Sequence, residues 1–314
     1  MRSFSLILAL LLSASIGFGQ KDGRTIAVTI DDLPTVSTKN DPATRLAITK
    51  NLLRSLRRHK VPAVGFVNEN KLYAGEERDP SQIELLEMWL DAGLELGNHT
   101  YSHRSLNRID PAEYRADVLR GQEVTSELLG RSGKRLRYFR HPFLQTGRTK
   151  EIKDEFAAFL KEHGYTIAPI THDNGDYIFA RAYDIANDRG DAKLAKRVAD
   201  AYVPYMEQKL DYWERQSVKL FGREISQTLL LHANSINAER FGELARMLKK
   251  RGYKFVDLET ALKDPAYQEK DEYYGPAGIS WLHRWAVARG RENVVPDEPL
   301  VPEFVLKLSG FESE

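Results

Sequence analysis

Two pairs of side chains in this sequence have the types and the spacing that chemistry at a metal ion requires. In "TIDDLP" (29–34), Asp31 and Asp32 stand side by side after the apolar run 26–30 and just ahead of a proline. In "HTYSH" (99–103), His99 and His103 are four positions apart. Histidines at that spacing can face one ion from a single turn, and one aspartate would complete a three-ligand site with open positions. Hydrolysis needs such an opening, because a bound water loses much of its pKa and becomes a nucleophile near neutral pH. Each pair alone has a plainer reading: a helix-capping aspartate beside a solvated one, or two surface histidines on a capped turn. Their presence together favours the metal.

Three further polar clusters accompany them. "RYFRHPF" (137–143) carries Arg140 and Pro142, "THDNGDY" (171–177) carries Asp173 and Asp176, and "LLLHAN" (229–234) carries His232. The elements that must position these groups are short apolar or β-branched runs at 25–30, 62–67, 94–97, 136–139, 165–168, 227–231 and 253–256, each the length of a buried strand. Between most of them lie segments with helical spacing. Asp41-Pro42 opens one with a cap and a first-turn proline, followed by Leu46, Leu53 and Leu56 on one face, and Asp79-Pro80 and Asp110-Pro111 repeat that opening.

Strand alternating with helix requires parallel strands and right-handed crossovers. The expectation is an α/β fold, an irregular seven-stranded (β/α) barrel, or an open doubly wound sheet if closure fails. Ligands gather outside the carboxyl ends of such strands, and each of the five clusters follows one, so all five share a rim. The interval 177–224 is too long for an ordinary connection and includes a charged helical stretch at 192–221, which reads as an inserted helix pair. The stretch 264–314 is rich in Tyr, Trp and Pro and includes "YYGPAGISWLHRW" (273–285). There Trp281 and Trp285 share a helical face, which predicts a hydrophobic clamp over the barrel rather than a sugar platform with Tyr273 and Tyr274. With no repeat, low-complexity tract or linker, 20–263 reads as one barrel domain and 264–314 as an extension packed on it.

A chain of 314 residues suits a single decorated barrel. Its 46 basic and 45 acidic residues leave a net charge of +1, so total charge gives no reason to expect nucleic acid or an anionic membrane as partner. Residues 1–19 read as an export signal: Arg2 supplies the positive start, 6–16 an apolar core, and Gly17-Phe18-Gly19 the small-residue cleavage site. That core is too short to span a bilayer comfortably. With no cysteine there are neither disulfides nor thiol chemistry nor a lipidation site. A periplasmic or secreted protein is expected, with no stable membrane insertion after signal removal; its oligomeric state is left open.

The motifs "TIDDLP", "HTYSH", "RYFRHPF", "DNGDY" and "LLLH" occur in the order, and at the strand ends, seen in the polysaccharide deacetylase family. These are metal-dependent carbohydrate esterases related to chitooligosaccharide and peptidoglycan deacetylases, and the resemblance spans about 25–256. It implies one divalent ion, zinc by usual assumption, held by Asp32, His99 and His103. It implies that Asp31 is the base acting on the metal-bound water and that His232 is the acid protonating the leaving amine. Arg140 would hold Asp31, and Asp173 would orient His232, with Asp176 as its competitor. The backbone N–H of Phe143, in the turn with Pro142, would help bind the oxyanion, and Leu230 would line the acetyl methyl pocket.

The residue chemistry is consistent with these roles. Amide hydrolysis needs a nucleophile, stabilisation of a developing oxyanion and a proton for the leaving group, hence a base, a Lewis acid and a second acid. An arginine keeps a free carboxylate ionised, and a carboxylate beside His232 favours its imidazolium. Departures from the family pattern, Ile30 for an aromatic, Leu33 for a glycine, Phe143 for tyrosine and Tyr177 near the usual tryptophan, alter walls rather than reacting groups. The implied activity is removal of acetyl groups, N-acetyl first, from an acetylated poly- or oligosaccharide. Alternatives are O-acetyl xylan, a small non-peptide amide, an inactive carbohydrate-binding relative, or a non-haem iron oxygenase with the same two histidines and carboxylate. The last leaves Asp31, Arg140 and His232 without roles. His59, His163 and His283 are expected to be packing or surface residues, while His141 and His172 flank the site.

Overall fold

The computed structural model describes residues 23–291 and 297–314; the expected export signal lies outside them. The strands, in chain order, are β1 (Thr25–Leu33), β2 (Val64–Val67), a small hairpin of β3 (Tyr73–Ala74) and β4 (Glu77–Arg78), β5 (Glu95–Asn98), β6 (Tyr138–Phe139), β7 (Thr166–Ile167), β8 (Gln227–His232) and β9 (Lys254–Phe255). Seven of them form one parallel sheet in the order β7-β6-β5-β2-β1-β8, with β9 beside the start of β1. All seven lie within or overlap the runs expected from sequence. β1 is central because it is apolar on both faces: Ile26, Ala27, Val28 and Ile30 are all buried, as a strand covered on both sides must be.

The sheet curls and closes through an irregular seam. Beyond β7 the chain runs to β8, where Thr171 N and His172 N both donate to Thr228 O (3.1 and 3.0 Å) and Leu230 N donates to His172 O (3.2 Å). This seam selects the barrel over the open sheet.

The helices are α1 (Pro42–His59), α2 (Pro80–Asp91), α3 (Pro111–Arg120), α4 (Glu123–Arg131), α5 (Lys150–Glu162), α6 (Asp176–Asp188), α7 (Ala192–Phe221), α8 (Ser235–Lys250), α9 (Leu258–Ala261), α10 (Trp281–Ala288) and α11 (Glu303–Ser309). At each Asp-Pro opening the aspartate caps its helix, Asp41 accepting from Thr44 N, Asp79 from Ser81 N and Asp110 from Ala112 N. α4 is capped differently. Gln122 gives no cap bond, and the buried Glu69 carboxylate accepts from Val124 N (3.0 Å) and Thr125 N (2.7 Å) instead. An anion suits a helix N-terminus, and losing it strands two buried donors. Glu69→Ala is therefore expected to lower stability by about 1–3 kcal/mol, read by urea unfolding.

The segment 177–224 forms α6 and α7, whose Ile178, Phe179, Val198, Tyr202 and Met206 join the main core. α10 lies against the seam: Trp281 N donates to Ile170 O (2.7 Å), and Trp281 and Trp285 are buried with Tyr212, Trp213 and Leu220. These two tryptophans pack inward and are not available to stack on a sugar.

Candidate active site

At the carboxyl end of β1 the two acids diverge. Asp31 is still in strand register, paired with His232 at the end of β8. Asp32 has φ 66°, and this left-handed turn carries its side chain off the strand. The histidines come from the turn after β5. Asn98 fixes that turn: its Oδ1 accepts from Thr100 N (2.7 Å), while its Nδ2 donates to Val118 O (3.0 Å) and to Tyr165 OH (2.8 Å). Asn68, at the end of β2, donates from Nδ2 to His99 O (2.7 Å).

Five of the seven non-glycine residues with positive φ among the described residues are here: Asp32, Thr100, His103, Phe143 and Leu144. Each costs about 1–3 kcal/mol, and such strain persists where surrounding structure imposes it. The fold spends stability on aiming these loops.

The side chains meet at Asp32. His99 Nδ1 pairs with Arg140 O at 2.8 Å, so that nitrogen carries the hydrogen and Nε2 is bare. His99 Nε2 stands 3.7 Å and His103 Nε2 3.5 Å from Asp32 Oδ1, a buried oxygen with no hydrogen-bond partner. The three ligand atoms lie within 4.8 Å of one another. Ligands about 2.1 Å from a tetrahedral ion would be roughly 3.4 Å apart, so this set fits one divalent cation.

Electrostatics suit the arrangement. Burial opposes the Asp32 charge, but Lys71, and behind it His232, hold its carboxyl well below the usual carboxylate range; Lys71 Nζ also donates to Asp32 O (2.8 Å). Burial drives both His99 and His103 down, so both are neutral and able to ligate. Asp31 behaves differently. Burial pushes it up to about 6, against Arg140 and His232. Arg140 Nη1 is 3.9 Å from Asp31 Oδ2, its side chain wholly buried, with Nη2 donating to Thr29 Oγ1 (3.0 Å) and Phe66 4.8 Å beneath it.

His232 lies on the other side of Asp31, and its partner is Asp176. Nδ1 meets Asp176 Oδ1 at 2.7 Å, and His232 N donates to Asp176 Oδ2 (2.8 Å). Burial lowers His232, but Asp176 outweighs it, and the imidazole is pushed up to about 10. This corrects the expectation for Asp173. The loop turns into α6 at Asp176, whose N is held by Asn174 Oδ1 (3.1 Å), so the first helical residue reaches back to β8. Asp173 instead accepts from Asn174 N (2.9 Å) and is pushed by burial up to about 6 as part of the cavity lining.

The turn Pro142–Leu144 brings Phe143 to the same cavity, its ring edge-on to His103 at 4.5 Å and 54% exposed. Pro142 is buried beneath it, and Leu230 lines the floor. The C-terminal extension clamps this turn. Gln145 Nε2 donates to Pro276 O (2.8 Å), and buried Arg284 donates to Thr146 Oγ1 (2.9 Å) and to Leu144 O. A Cβ on Gly278 would lie 1.7 Å from Phe143 O. Gly278→Ala must therefore displace the turn, and since such displacement costs about 10²-fold in rate, kcat is expected to fall by that order. Bound metal should be unchanged, because no ligand lies on this turn; kinetics with metal analysis checks both.

The cavity holding these groups measures about 620 Å³. His141 lines it and is fully buried, whereas His172 belongs to the seam. His283 packs beside Tyr212 (2.8 Å), His59 is buried on α1, and His163 is exposed. Sequence reading misses Asn68, Asn98 and Lys71. The signal is present for two of them: "VNENK" follows β2, the one central strand to which that reading assigns no cluster.

A parallel barrel with a candidate metal centre at its strand ends, beside Asp31 and His232, is an arrangement that suits an α/β-barrel hydrolase. Residues 18–168, just under half of the chain, match the polysaccharide deacetylase family. It is 26% identical over 163 residues to a peptidoglycan-N-acetylglucosamine deacetylase of Bacillus cereus, covering 52% of this chain and 50% of the relative. The chain thus spans about half the length of that curated relative. Among solved structures it is similar to a mutant of BA3943, a CE4 family pseudoenzyme with restored enzymatic activity, at 17% identity and TM-score 0.50, covering 77% of this chain and 68% of that one; the wild type is from Bacillus anthracis. It is also similar to the peptidoglycan deacetylase PdaC of Bacillus subtilis, at 23% identity and TM-score 0.47, covering 77% and 93%.

Proposed function

We propose that the protein hydrolyses acetyl groups, N-acetyl in the first place, from an acetylated poly- or oligosaccharide, with a divalent ion held by Asp32, His99 and His103. The observation that carries this reading is the buried, unpartnered Asp32 Oδ1 facing His99 Nε2 and His103 Nε2, with Asp31 and His232 alongside. A divalent ion there, zinc by ligand preference, would acidify a water and polarise the acetyl carbonyl.

The remaining steps belong to the chain. Asp31, near neutrality and held by Arg140, accepts the proton of the water that adds to the carbonyl carbon. The Phe143 N–H supplies a hydrogen bond to the developing oxyanion. His232, kept charged by Asp176, gives its proton to the sugar nitrogen as the C–N bond breaks. Acetate and a free amine result. Leu230 bounds the space for the methyl group. No helix among the described residues is long and apolar enough to cross a membrane, and the N-terminal sequence suits export to a periplasmic or extracellular substrate.

The test is stoichiometry. N-acetylglucosamine oligomers should yield acetate and new amine in equal amounts, faster than acetylated xylan yields acetate. Release from xylan alone would replace the N-acetyl reading with an O-acetyl one.

A further inference from the structure

The wall of the cavity beside His232 joins Tyr177, the last residue of the "DNGDY" motif, to Phe311 of the C-terminal extension. Tyr177, in the first turn of α6, stands 6.1 Å from the His232 ring and meets Phe311 edge to face at 5.4 Å. Both rings line the cavity that holds Asp31 and His232, and both remain partly open, at 37% and 39%. Phe311 reaches this position because α11 packs on α6 and ends at Gly310, whose φ of 79° turns the chain back. That conformation favours glycine.

The segment carrying Phe311 is tied down on both sides of the ring. Before it, Arg181 Nε donates to Ser309 O (2.7 Å), with the guanidinium 5.7 Å from the Phe311 ring. After it, the Glu314 side chain accepts from Tyr205 OH (2.6 Å) and Val301 N (2.8 Å) and pairs with the buried Lys209 at 2.8 Å. Tyr205 OH in turn accepts from Gly175 N (2.7 Å), immediately before Asp176. A Cβ on Gly175 would meet the Glu314 side chain at 3.3 Å, so the segment lies directly against the loop that places the partner of His232. Phe311 is thus a fixed part of the site.

An aromatic pair held half-open beside Asp31 and His232 presents faces suited to a sugar ring. The cavity also carries Phe143 on its far side, over His103. Its volume of about 620 Å³ falls within the roughly 300–1,000 Å³ that small-molecule sites span. A groove for the interior of a polymer must instead run open at both ends.

We infer that Phe311, backed by Tyr177, closes the His232 side of the cavity and packs against the sugar next to the one being deacetylated, so that short oligosaccharides or chain ends are preferred over polymer interiors. This rests on the deacetylase reading above.

The test is kcat/KM for acetate release by the full chain, loaded with zinc, on N-acetylglucosamine oligomers from monomer to hexamer. Wild type, Phe311→Ala and Phe311→Trp are compared. Wild type is expected to favour the short members. Phe311→Ala should raise the hexamer-to-dimer ratio by about tenfold, the scale of discrimination a pocket wall provides, and Phe311→Trp should lower it. Two substitutions of opposite size keep the test valid if one variant folds poorly, and thermal unfolding identifies such a variant. A ratio that the folded variants leave unchanged, or a wild type that prefers the hexamer, overturns the wall. A wild type that releases acetate from no oligomer overturns the deacetylase reading, and this inference with it; that failure is visible without any variant.

Discussion

Asp31→Asn is expected to lower acetate release by about 10²–10⁴-fold, the usual contribution of a positioned general base, while metal content stays near that of wild type. The substitution keeps size and removes basicity. In the proposed site its neighbour Asp32 serves the metal instead. His103 Nε2 faces Asp32 Oδ1 at 3.5 Å, and Asp32 is held ionised, whereas burial leaves Asp31 near neutrality at about 6. His103→Ala should give the opposite pattern, with the metal itself lost. Metal analysis and initial rates on both purified variants separate the two roles. If Asp31→Asn loses the metal and His103→Ala retains it, the proposed division between the adjacent acids is wrong.

Asp176→Asn is expected to move the alkaline limb of kcat/KM down by about one to three pH units, the range an adjacent opposite charge commands. The sign follows from the proposed role of His232 as the acid. His232 must be protonated to donate, and its pKa, pushed up to about 10, keeps the acid form in place until pH rises through that value. Without the Asp176 charge the imidazole titrates nearer its ordinary value of about 6.5, and donor capacity is lost as pH passes neutrality. At pH 8 the acid form is then a minor species, and the rate should fall by up to about 30-fold. The pair also stabilises the fold: a histidine raised on folding contributes fully below its unfolded pKa and ceases to contribute as pH rises through the folded one. Asp173→Asn serves as the control and should leave the alkaline limb in place. A shift with Asp173→Asn and none with Asp176→Asn would restore the assignment expected from sequence.

That exchange shows what sequence can supply. The seven strands are legible because each is a short apolar run, and the rim because a polar cluster follows five of them. Asp31, Asp32, His99, His103, Arg140 and His232 come together as expected, since period and strand ends fix where such residues must emerge. Asp173 and Asp176 cannot be ranked in this way. They are three residues apart in one loop, and the choice depends on where α6 begins, a cap boundary that pattern locates only within a few residues. Asn98 acts through hydrogen bonds to Val118 and Tyr165, distant in sequence, and no local spacing announces it. The clamp on Phe143 by Gly278 and Arg284, and the wall at Phe311, depend on a C-terminal extension whose path over the barrel is set by tertiary packing. Its tryptophans are readable as packing residues from their helical spacing, but its contacts with the site are not.

The most direct measurement is acetate release by the zinc-loaded protein, with and without chelator, across N-acetylglucosamine oligomers, peptidoglycan and acetylated xylan. The account predicts release from the N-acetylated substrates that stops with chelator and returns with added zinc. Undiminished release after complete metal removal, or no release from any of the three with metal bound at one ion per chain, would contradict it.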